Sequence, residues 1–183
     1  MSYSNQATET SEPQTRRRVL GPLFRTRIGR ATVDFLGSDR GRQLDRYAVR
    51  YLGVSMLSIA FTAMQGVSPL TVLLIHSTGQ RTGRQRETVM PYFRVDGTAY
   101  VIGSAAGASK DPSWVHNLRA TPHAQVTLRR RRIDVTAREV SGGSPERTKV
   151  WDAAVAIAPS YAVFQGMTER ALPVIALEGA LDS

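Results

Sequence analysis

The stretch that decides the fold runs from residue 71 to residue 103 and reads TVLLIHSTGQRTGRQRETVMPYFRVDGTAYVIG. It begins with Thr71–His76, a run of β-branched and leucine side chains typical of a strand buried on both faces. Arg86–Val95 and Thr98–Gly103 are predicted as two further strands. They meet at Asp96-Gly97, a dipeptide favoured in type I′ hairpin turns, where both central residues need positive φ. The stretch therefore predicts that the core of the protein is a β-sheet.

Downstream of this stretch, short strands are separated by helices. Asp111-Pro112 is predicted as the N-cap and first residue of a helix that reaches about Arg119, and Ser144-Pro145 repeats that signal before a helix at about Glu146–Ile157. The remaining predicted strands are Ala124–Leu128, Ile133–Val140 and Val174–Glu178. Five or six short strands without regular βαβ alternation favour an α+β protein, a mostly antiparallel barrel with peripheral helices.

Upstream of the barrel, which we assign to residues 69–180, the sequence predicts a disordered tail over residues 1–18 and a helical segment over residues 19–68. Between Arg16 and Arg50 the arginines alternate with apolar residues at roughly helical spacing. Such a pattern fits a solvated charged face, and it also fits a helix lying on an anionic membrane. From Tyr51 to Gln80 no residue is formally charged. Glycine, proline and polar side chains interrupt this part, so a buried helix and strand are favoured over a membrane span.

The composition narrows the classes of ligand. Lys and Arg number 24 against 15 Asp and Glu, a formal charge of +9, so the surface attracts anions. With no cysteine, disulfides and thiolate chemistry are excluded, and His76, His116 and His123 do not have the spacing of a metal motif. The arginines are scattered and accompany no nucleic-acid-binding motif, so we expect neither a metal nor a nucleic-acid partner.

Two loops have the residues of a ligand site. In Ser77–Arg86 (STGQRTGRQR), Gly79 and Gly83 let the backbone expose N–H groups, and the arginines add charge for a phosphate or carboxylate. A solvated basic turn is the alternative. In Gly103–Asn117 (GSAAGASKDPSWVHN), small residues admit a planar ligand that Trp114 would cover, unless Trp114 belongs only to the core.

A third cluster, Ala158–Phe164 (APSYAVF), has Tyr161 near a helix end, where its hydroxyl can point into a cleft. A single tyrosine is more often a hydrogen-bonded core side chain than a catalyst. A core side chain is therefore the alternative to a catalytic role for Tyr161.

Taken in this order, the clusters resemble the deazaflavin-dependent nitroreductase and quinone reductase family of actinobacteria. The resemblance extends from Val72 to Glu178. It is carried by the Ser77–Arg86 loop, the strand ending Pro91-Tyr92-Phe93, the Pro-x-Trp-x-x-Asn-Leu helix at Pro112–Leu118, the Ala-Thr-Pro after it, and the terminal Pro-Val-x-x-Leu-Glu. It implies a split β-barrel of the FMN-binding type that binds coenzyme F420, a flavin analogue. The C5 atom of F420 gives up hydride, and its tail carries a phosphate and γ-linked glutamates.

The resemblance implies that the protein is an oxidoreductase. Reduced F420 would pass hydride to a small hydrophobic acceptor such as a quinone, an activated alkene or a nitro compound. The residues expected at the phosphate, tail and ring are Gln80, Arg81, Thr82, Arg86, Glu87, Thr88, Val89, Met90, Pro91, Tyr92, Ile102, Gly103, Ser104, Ala105, Ser113, Trp114, Val115, His116 and Asn117. Tyr161 and Ser104 are the expected hydrogen-bond donors to negative charge on the acceptor.

The chain departs from the family pattern at three places. Val89 replaces a proline that many relatives carry, with Pro91 two residues later, and Ala105 replaces a lysine of some relatives. Of three tyrosines near the acceptor in relatives active on nitro compounds, only Tyr161 remains, between Ala158 and Phe164. The missing tyrosines leave a non-catalytic F420 carrier or sensor as one alternative. Among enzymes, the alternative is a related FMN-binding split-barrel oxidoreductase.

The expected partner is a small-molecule acceptor. A homodimer is also compatible, since split-barrel proteins are often dimers. We expect a cytoplasmic protein, and the basic amphipathic segment allows peripheral contact with the inner face of the membrane.

Overall fold

The computed structural model describes Phe35, residues 38–65 and residues 70–181. The predicted tail and the first part of the predicted helical segment lie outside the described residues. The helices are α1 (Asp39–Leu52), α2 (Met56–Gln65), α3 (Ser113–Ala120), α4 (Pro145–Ile157) and α5 (Ser160–Gly166). The strands are β1 (Val72–Thr78), β2 (Gln85–Pro91), β3 (Phe93–Val95), β4 (Thr98–Ile102), β5 (His123–Leu128), β6 (Arg131–Glu139) and β7 (Val174–Glu178).

All seven strands belong to one curled sheet in the order β2-β1-β5-β6-β7-β4-β3, and every neighbouring pair is antiparallel. The predicted hairpin is confirmed, with φ of 50° at Asp96 and 80° at Gly97 between β3 and β4. The pairing of β1 with β2 runs without a break from Thr78 opposite Gln85 to Val72 opposite Pro91. The strand therefore has no bulge at Val89.

The strand predicted at Arg86–Val95 is wrong in one respect, because it divides at Tyr92 into β2 and β3. The Tyr92 N–H donates to the carbonyl of Thr71 over 3.1 Å, outside the regular ladder, and Pro91 has no N–H to continue that ladder. The chain leaves the β1 edge here and reaches the opposite end of the sheet as β3.

The two predicted helix starts have different outcomes. At α4 the prediction is confirmed, since the Ser144 hydroxyl accepts from the Arg147 N–H over 3.1 Å and Pro145 is the first helical residue. At α3 the prediction of Asp111 as N-cap is wrong, because the helix begins at Ser113 and Pro112 occupies the capping position. The Asp111 carboxylate instead accepts hydrogen bonds from arginine side chains, as described below.

Both faces of β1 are buried, as the sequence predicts. Leu73 and Ile75 belong to a core under α3, which includes Val115 and Val126. Leu74, on the other face, packs with Val49 of α1. A further core packs β3, β4 and β7 against α4 and α5 through Phe93, Tyr100, Val150, Ala154, Tyr161, Leu172 and Val174.

The uncharged stretch after α1 is not one continuous helix. Gly53, with φ of 72°, ends α1, and α2 is only ten residues long. Within the described residues, no helix is both long and apolar enough to cross a membrane.

Candidate functional site

Two adjoining cavities, each of about 480 Å³, lie beside β2 and α3. The first, here called the basic cleft, is lined by Gly79, Gln80, Arg81, Thr82, Arg86, Glu87, Thr88, Ser113, Trp114, His116 and Asn117. Its lining is polar and cationic. It brings together the two loops that the sequence singled out.

The second cavity, here called the apolar pocket, adjoins the basic cleft, and Thr88 and Trp114 line both. Its lining is mostly apolar and comprises Asp45, Ser55, Leu57, Ser58, Leu70, Val72, Thr88, Val89, Met90, Pro91, Ile102, Ser104, Ala105, Ala106, Pro112, Trp114, Ser160, Tyr161 and Phe164. Together the two cavities suit an elongated molecule that is anionic at one end and flat and apolar at the other.

The glycine loop between β1 and β2 offers less backbone to a ligand than expected. From Gly79 to Arg84, the N–H groups of Gly79, Gln80, Thr82, Gly83 and Arg84 all bond within the fold. Only the Arg81 N–H has no partner among the described residues. The capacity of this loop to bind an anion therefore rests mainly on its side chains, above all on the exposed Arg81 and the nearby Arg86.

Asn117 holds the glycine loop against α3. Its side-chain oxygen accepts from the Gln80 N–H over 3.0 Å, and its amide nitrogen donates to the Ser77 hydroxyl over 3.2 Å. The side chain is 7% exposed. Because both of its polar atoms have partners within the protein, Asn117 fixes the geometry of the cleft, a role that the sequence did not reveal.

Glu87 lines the basic cleft, yet its carboxylate is already paired. It accepts a hydrogen bond from Arg50 of α1, and it lies 3.1 Å from Nδ1 of His76. His76 is buried, with Nε2 2.8 Å from the Thr127 hydroxyl, and this burial lowers its pKa. The pairing with Arg50 offsets the negative charge that Glu87 would otherwise present to an anion.

Tyr161 lies on α5 in the wall of the apolar pocket. Its ring makes edge contacts with Phe93 and Phe164, at centroid distances of 5.4 and 6.3 Å. The residue is 5% exposed, and burial raises the pKa of its phenol. No described residue hydrogen-bonds the hydroxyl, which stays protonated at neutral pH and can donate to a molecule in the pocket.

Ser104, the other expected donor, opens the loop between β4 and α3. It lines the pocket next to Ala105 and Ala106, which have φ of 45° and 51°. This wall of the pocket therefore offers a ligand the hydroxyl of Ser104 next to the methyl groups of two alanines.

Most residues expected at the cofactor line one of the two cavities, but three do not. Val115 is fully buried in the core, and Gly103 is buried where an added Cβ would lie 2.7 Å from Pro173. Tyr92 lines a different cavity, near Arg94 and Leu181. Its displacement follows from the division of the predicted strand, which turns Tyr92 away from β2.

Sequence reasoning missed the part of the pocket that α1 and α2 supply. Asp45 is 3% exposed, and its carboxylate accepts from the Ser55 hydroxyl over 2.8 Å and from the Leu57 N–H over 3.1 Å. A buried carboxylate with these partners ties α1 to the start of α2. No spacing in the sequence indicates that this segment reaches the site.

Comparison with known proteins gives the family. The sequence profile of the F420H(2)-dependent quinone reductases matches residues 59–179. A Mycobacterium tuberculosis (strain H37Rv) protein named F420H(2)-dependent quinone reductase is 30% identical over 145 residues, which cover 73% of this chain and 97% of the relative.

Solved structures agree with the sequence comparison. The structure of an F420-H2 dependent reductase superposes with a TM-score of 0.53 at 33% identity, covering 58% of this chain and 93% of its own. Another, described as a domain-swapped dimer, has a TM-score of 0.54 at 29% identity and covers 79% of this chain and 98% of its own. These findings confirm the split β-barrel, and the chain belongs to the F420H(2)-dependent quinone reductase family.

Proposed function

We propose that the basic cleft holds the phosphate and glutamate tail of reduced F420 and that the apolar pocket receives its ring together with the hydride acceptor. As a family member the protein is an F420H2-dependent oxidoreductase. The observation that carries the assignment of the site is that Thr88 and Trp114 line both cavities, so one amphipathic molecule can occupy them together. The residues present fit the coenzyme, since Arg81 and Arg86 line the cleft and would hold its phosphate and carboxylates.

When bound, reduced F420 supplies hydride. The residues of the chain would bind and orient the coenzyme and the acceptor, and would stabilise the negative charge that develops on the acceptor. Trp114 lines both the cleft and the pocket, and the apolar wall of the pocket would keep water from the acceptor. The Tyr161 hydroxyl and Ser104 can donate hydrogen bonds to an acceptor oxygen that gains negative charge, and a donor already in place lowers the cost of that charge.

The cofactor assignment is tested by titrating the protein with F420 and, separately, with FMN, following tryptophan fluorescence. Arg81→Ala and Arg86→Ala should each weaken F420 binding by about 1–3 kcal/mol, the range for a hydrogen bond to a charged group. Added salt should weaken wild-type binding, because ions screen exposed charges. Arg84→Ala is the matched control, since Arg84 lies in the same loop and is exposed but does not line the cleft.

Trp114→Phe identifies which tryptophan reports binding, because Trp151 lies outside both cavities. Binding of FMN without binding of F420 would contradict the assignment. Binding of F420 without turnover of any acceptor would instead favour the carrier or sensor alternative.

We further propose that α1 brings the protein to the inner face of an anionic membrane. Leu44, Tyr47 and Tyr51 form an apolar stripe along the helix, and each is at least half exposed. Arg40, which is exposed, lies four residues before Leu44 and therefore on the same face of the helix as this stripe. Exposed aromatic and apolar side chains next to a basic residue are the composition of an interfacial helix.

The charge beside α1 supports this choice of partner. Arg129 and Arg130 form the turn between β5 and β6, and a Cβ added at Gly53 would lie 3.8 Å from the Cα of Arg129. The end of α1 is therefore next to a basic turn. Anionic lipid complements both features, the apolar stripe and the arginines.

Cosedimentation tests the membrane proposal. The protein should bind phosphatidylglycerol vesicles, bind phosphatidylcholine vesicles much less, and be released from the former by salt. Tyr47→Ser with Tyr51→Ser should reduce binding, and Ile157→Ser, an equally exposed apolar residue on α4, should not. Absence of vesicle binding would contradict the proposal. A dimer that these tyrosine substitutions dissociate would mean that a second copy covers the stripe.

A further inference from the structure

The loop at residues 103–111, here called the rim loop, joins β4 to α3 and borders the apolar pocket. Ala105 and Ala106 both have φ in the left-handed region, at 45° and 51°, which alanine rarely adopts. A backbone held there persists only where surrounding contacts fix it. The rim loop therefore needs an external support.

One side chain supplies contacts to both ends of the rim loop. Arg170, in the segment between α5 and β7, donates from Nη2 to the carbonyls of Gly103 and Ser104 over 3.1 and 2.9 Å. Its Nε donates to the carbonyl of Ala108 over 2.8 Å, and its Nη1 donates to Asp111 over 2.8 Å. A single planar guanidinium thus reaches four acceptors spread along the loop.

The carboxylate that Arg170 contacts is itself anchored. The second oxygen of Asp111 accepts from Arg119 of α3 over 2.6 Å, and Arg119 makes two hydrogen bonds to Glu139 of β6, of 2.6 and 2.7 Å. Asp111 and the Arg170 side chain are each only 15% exposed. The rim loop is therefore tied to the sheet as well as to the segment after α5.

We infer that Arg170 and Asp111 are positioning residues of the acceptor site, holding the rim loop in the shape that presents Ser104 to the apolar pocket. The inference rests on the proposed function. The same loop packs against α5, where a Cβ added at Gly107 would lie 3.1 Å from the carbonyl oxygen of Phe164. Arg170 therefore fixes the position of Ser104 relative to the helix that carries Tyr161. The distance between the hydroxyl groups of these two expected donors is thereby held constant.

An arginine is required for this role. Its guanidinium donates in several directions within one plane, whereas a lysine ammonium is a compact charge that cannot reach four separated acceptors. Arg170→Ala should lower kcat with menadione by about ten- to a hundredfold, since misplaced groups at a reacting centre cost rates of that order. F420 affinity should change less than threefold, because the arginines of the basic cleft are untouched.

The test compares Arg170→Ala, Arg170→Lys and Asp111→Asn with Arg138→Ala. Arg138 pairs with Glu146 and Glu178, outside both cavities, and so controls for the loss of an arginine ion pair. Arg170→Lys should recover little activity, whereas added methylguanidinium should partly restore Arg170→Ala and leave Arg138→Ala unchanged. Amide exchange in residues 103–111 should quicken in Arg170→Ala and not in Arg138→Ala.

An Arg170→Ala enzyme with wild-type kcat and wild-type amide exchange in the rim loop would overturn the inference. So would an equal loss of kcat in Arg138→Ala. If the wild type itself does not oxidise reduced F420, the proposed function fails. The exchange measurement would still decide whether Arg170 and Asp111 hold the loop.

Discussion

The basic cleft and the apolar pocket have the same volume and share Thr88 and Trp114, yet the chain builds them differently. The cleft comes from residues 79–117, a short part of the chain whose charges are visible in the sequence. The pocket takes residues from Asp45 through Phe164, contributed by helices and loops that the fold brings together. Charge in the cleft can therefore be altered one residue at a time, whereas the pocket depends on the supports between its segments.

The largest expected effect separates the chemistry of the pocket from binding in the cleft. Tyr161→Phe keeps the ring contacts with Phe93 and Phe164 but removes the donor. It should lower turnover with menadione and with a nitroaromatic by about ten- to a hundredfold, on the order of 1.4–3 kcal/mol. F420 affinity should barely change. Kinetics at saturating cofactor, beside a direct titration, measure both.

Tyr92→Phe is the matched control for that experiment, because Tyr92 lines a different cavity. It should leave turnover unchanged. Unchanged turnover in Tyr161→Phe with both acceptors would reduce Tyr161 to a packing residue and leave Ser104 or water as the donor.

A smaller effect, on F420 affinity, is expected from Asn117, which holds the glycine loop of the basic cleft in place. Asn117→Ala leaves the Gln80 N–H and the Ser77 hydroxyl without their partner, so the glycine loop should lose its fixed position. F420 affinity should fall about tenfold, since an unsatisfied buried group costs on the order of 1–3 kcal/mol. Titration of F420 measures this loss. Turnover at saturating F420 should be nearly normal, and a loss of turnover without weaker binding would contradict the distinction between the two cavities.

The smallest expected effect is on stability and comes from His76 beneath the cleft. Burial lowers its folded pKa below the ordinary value of 6.5, so the unfolded chain binds the proton more readily. Protonation of His76 therefore favours the unfolded chain. The free energy of unfolding is highest above about pH 6.5 and decreases as the pH falls towards the pKa of His76 in the folded protein. Urea unfolding at pH 7.5 and pH 5 should show a smaller loss for His76→Gln than for the wild type. Equal losses of stability in the wild type and in His76→Gln would show that other titrating groups dominate the pH dependence.

The regular elements were largely predictable because their signals are local. Asp96-Gly97 specifies its turn through positive φ, and Ser144-Pro145 starts α4, both as expected. The errors arose where a distant contact overrides a local preference. Asp111 carries the sequence signal of an N-cap, but Arg170 and Arg119 take its carboxylate, because charged donors form stronger hydrogen bonds than backbone N–H groups.

The features of the candidate site likewise fall into those set by local sequence and those set by contacts between distant residues. By itself the sequence determined most of the strands, the cationic loop at Arg81 and the family, since strand periodicity, turn residues and motif order are properties of neighbouring residues. Only the tertiary structure decided that Arg50 neutralises Glu87, that Asp45 joins the pocket and that Tyr92 leaves it. Each of these depends on contacts between residues far apart in the chain, which exist only once the sheet has curled and the helices have packed against it.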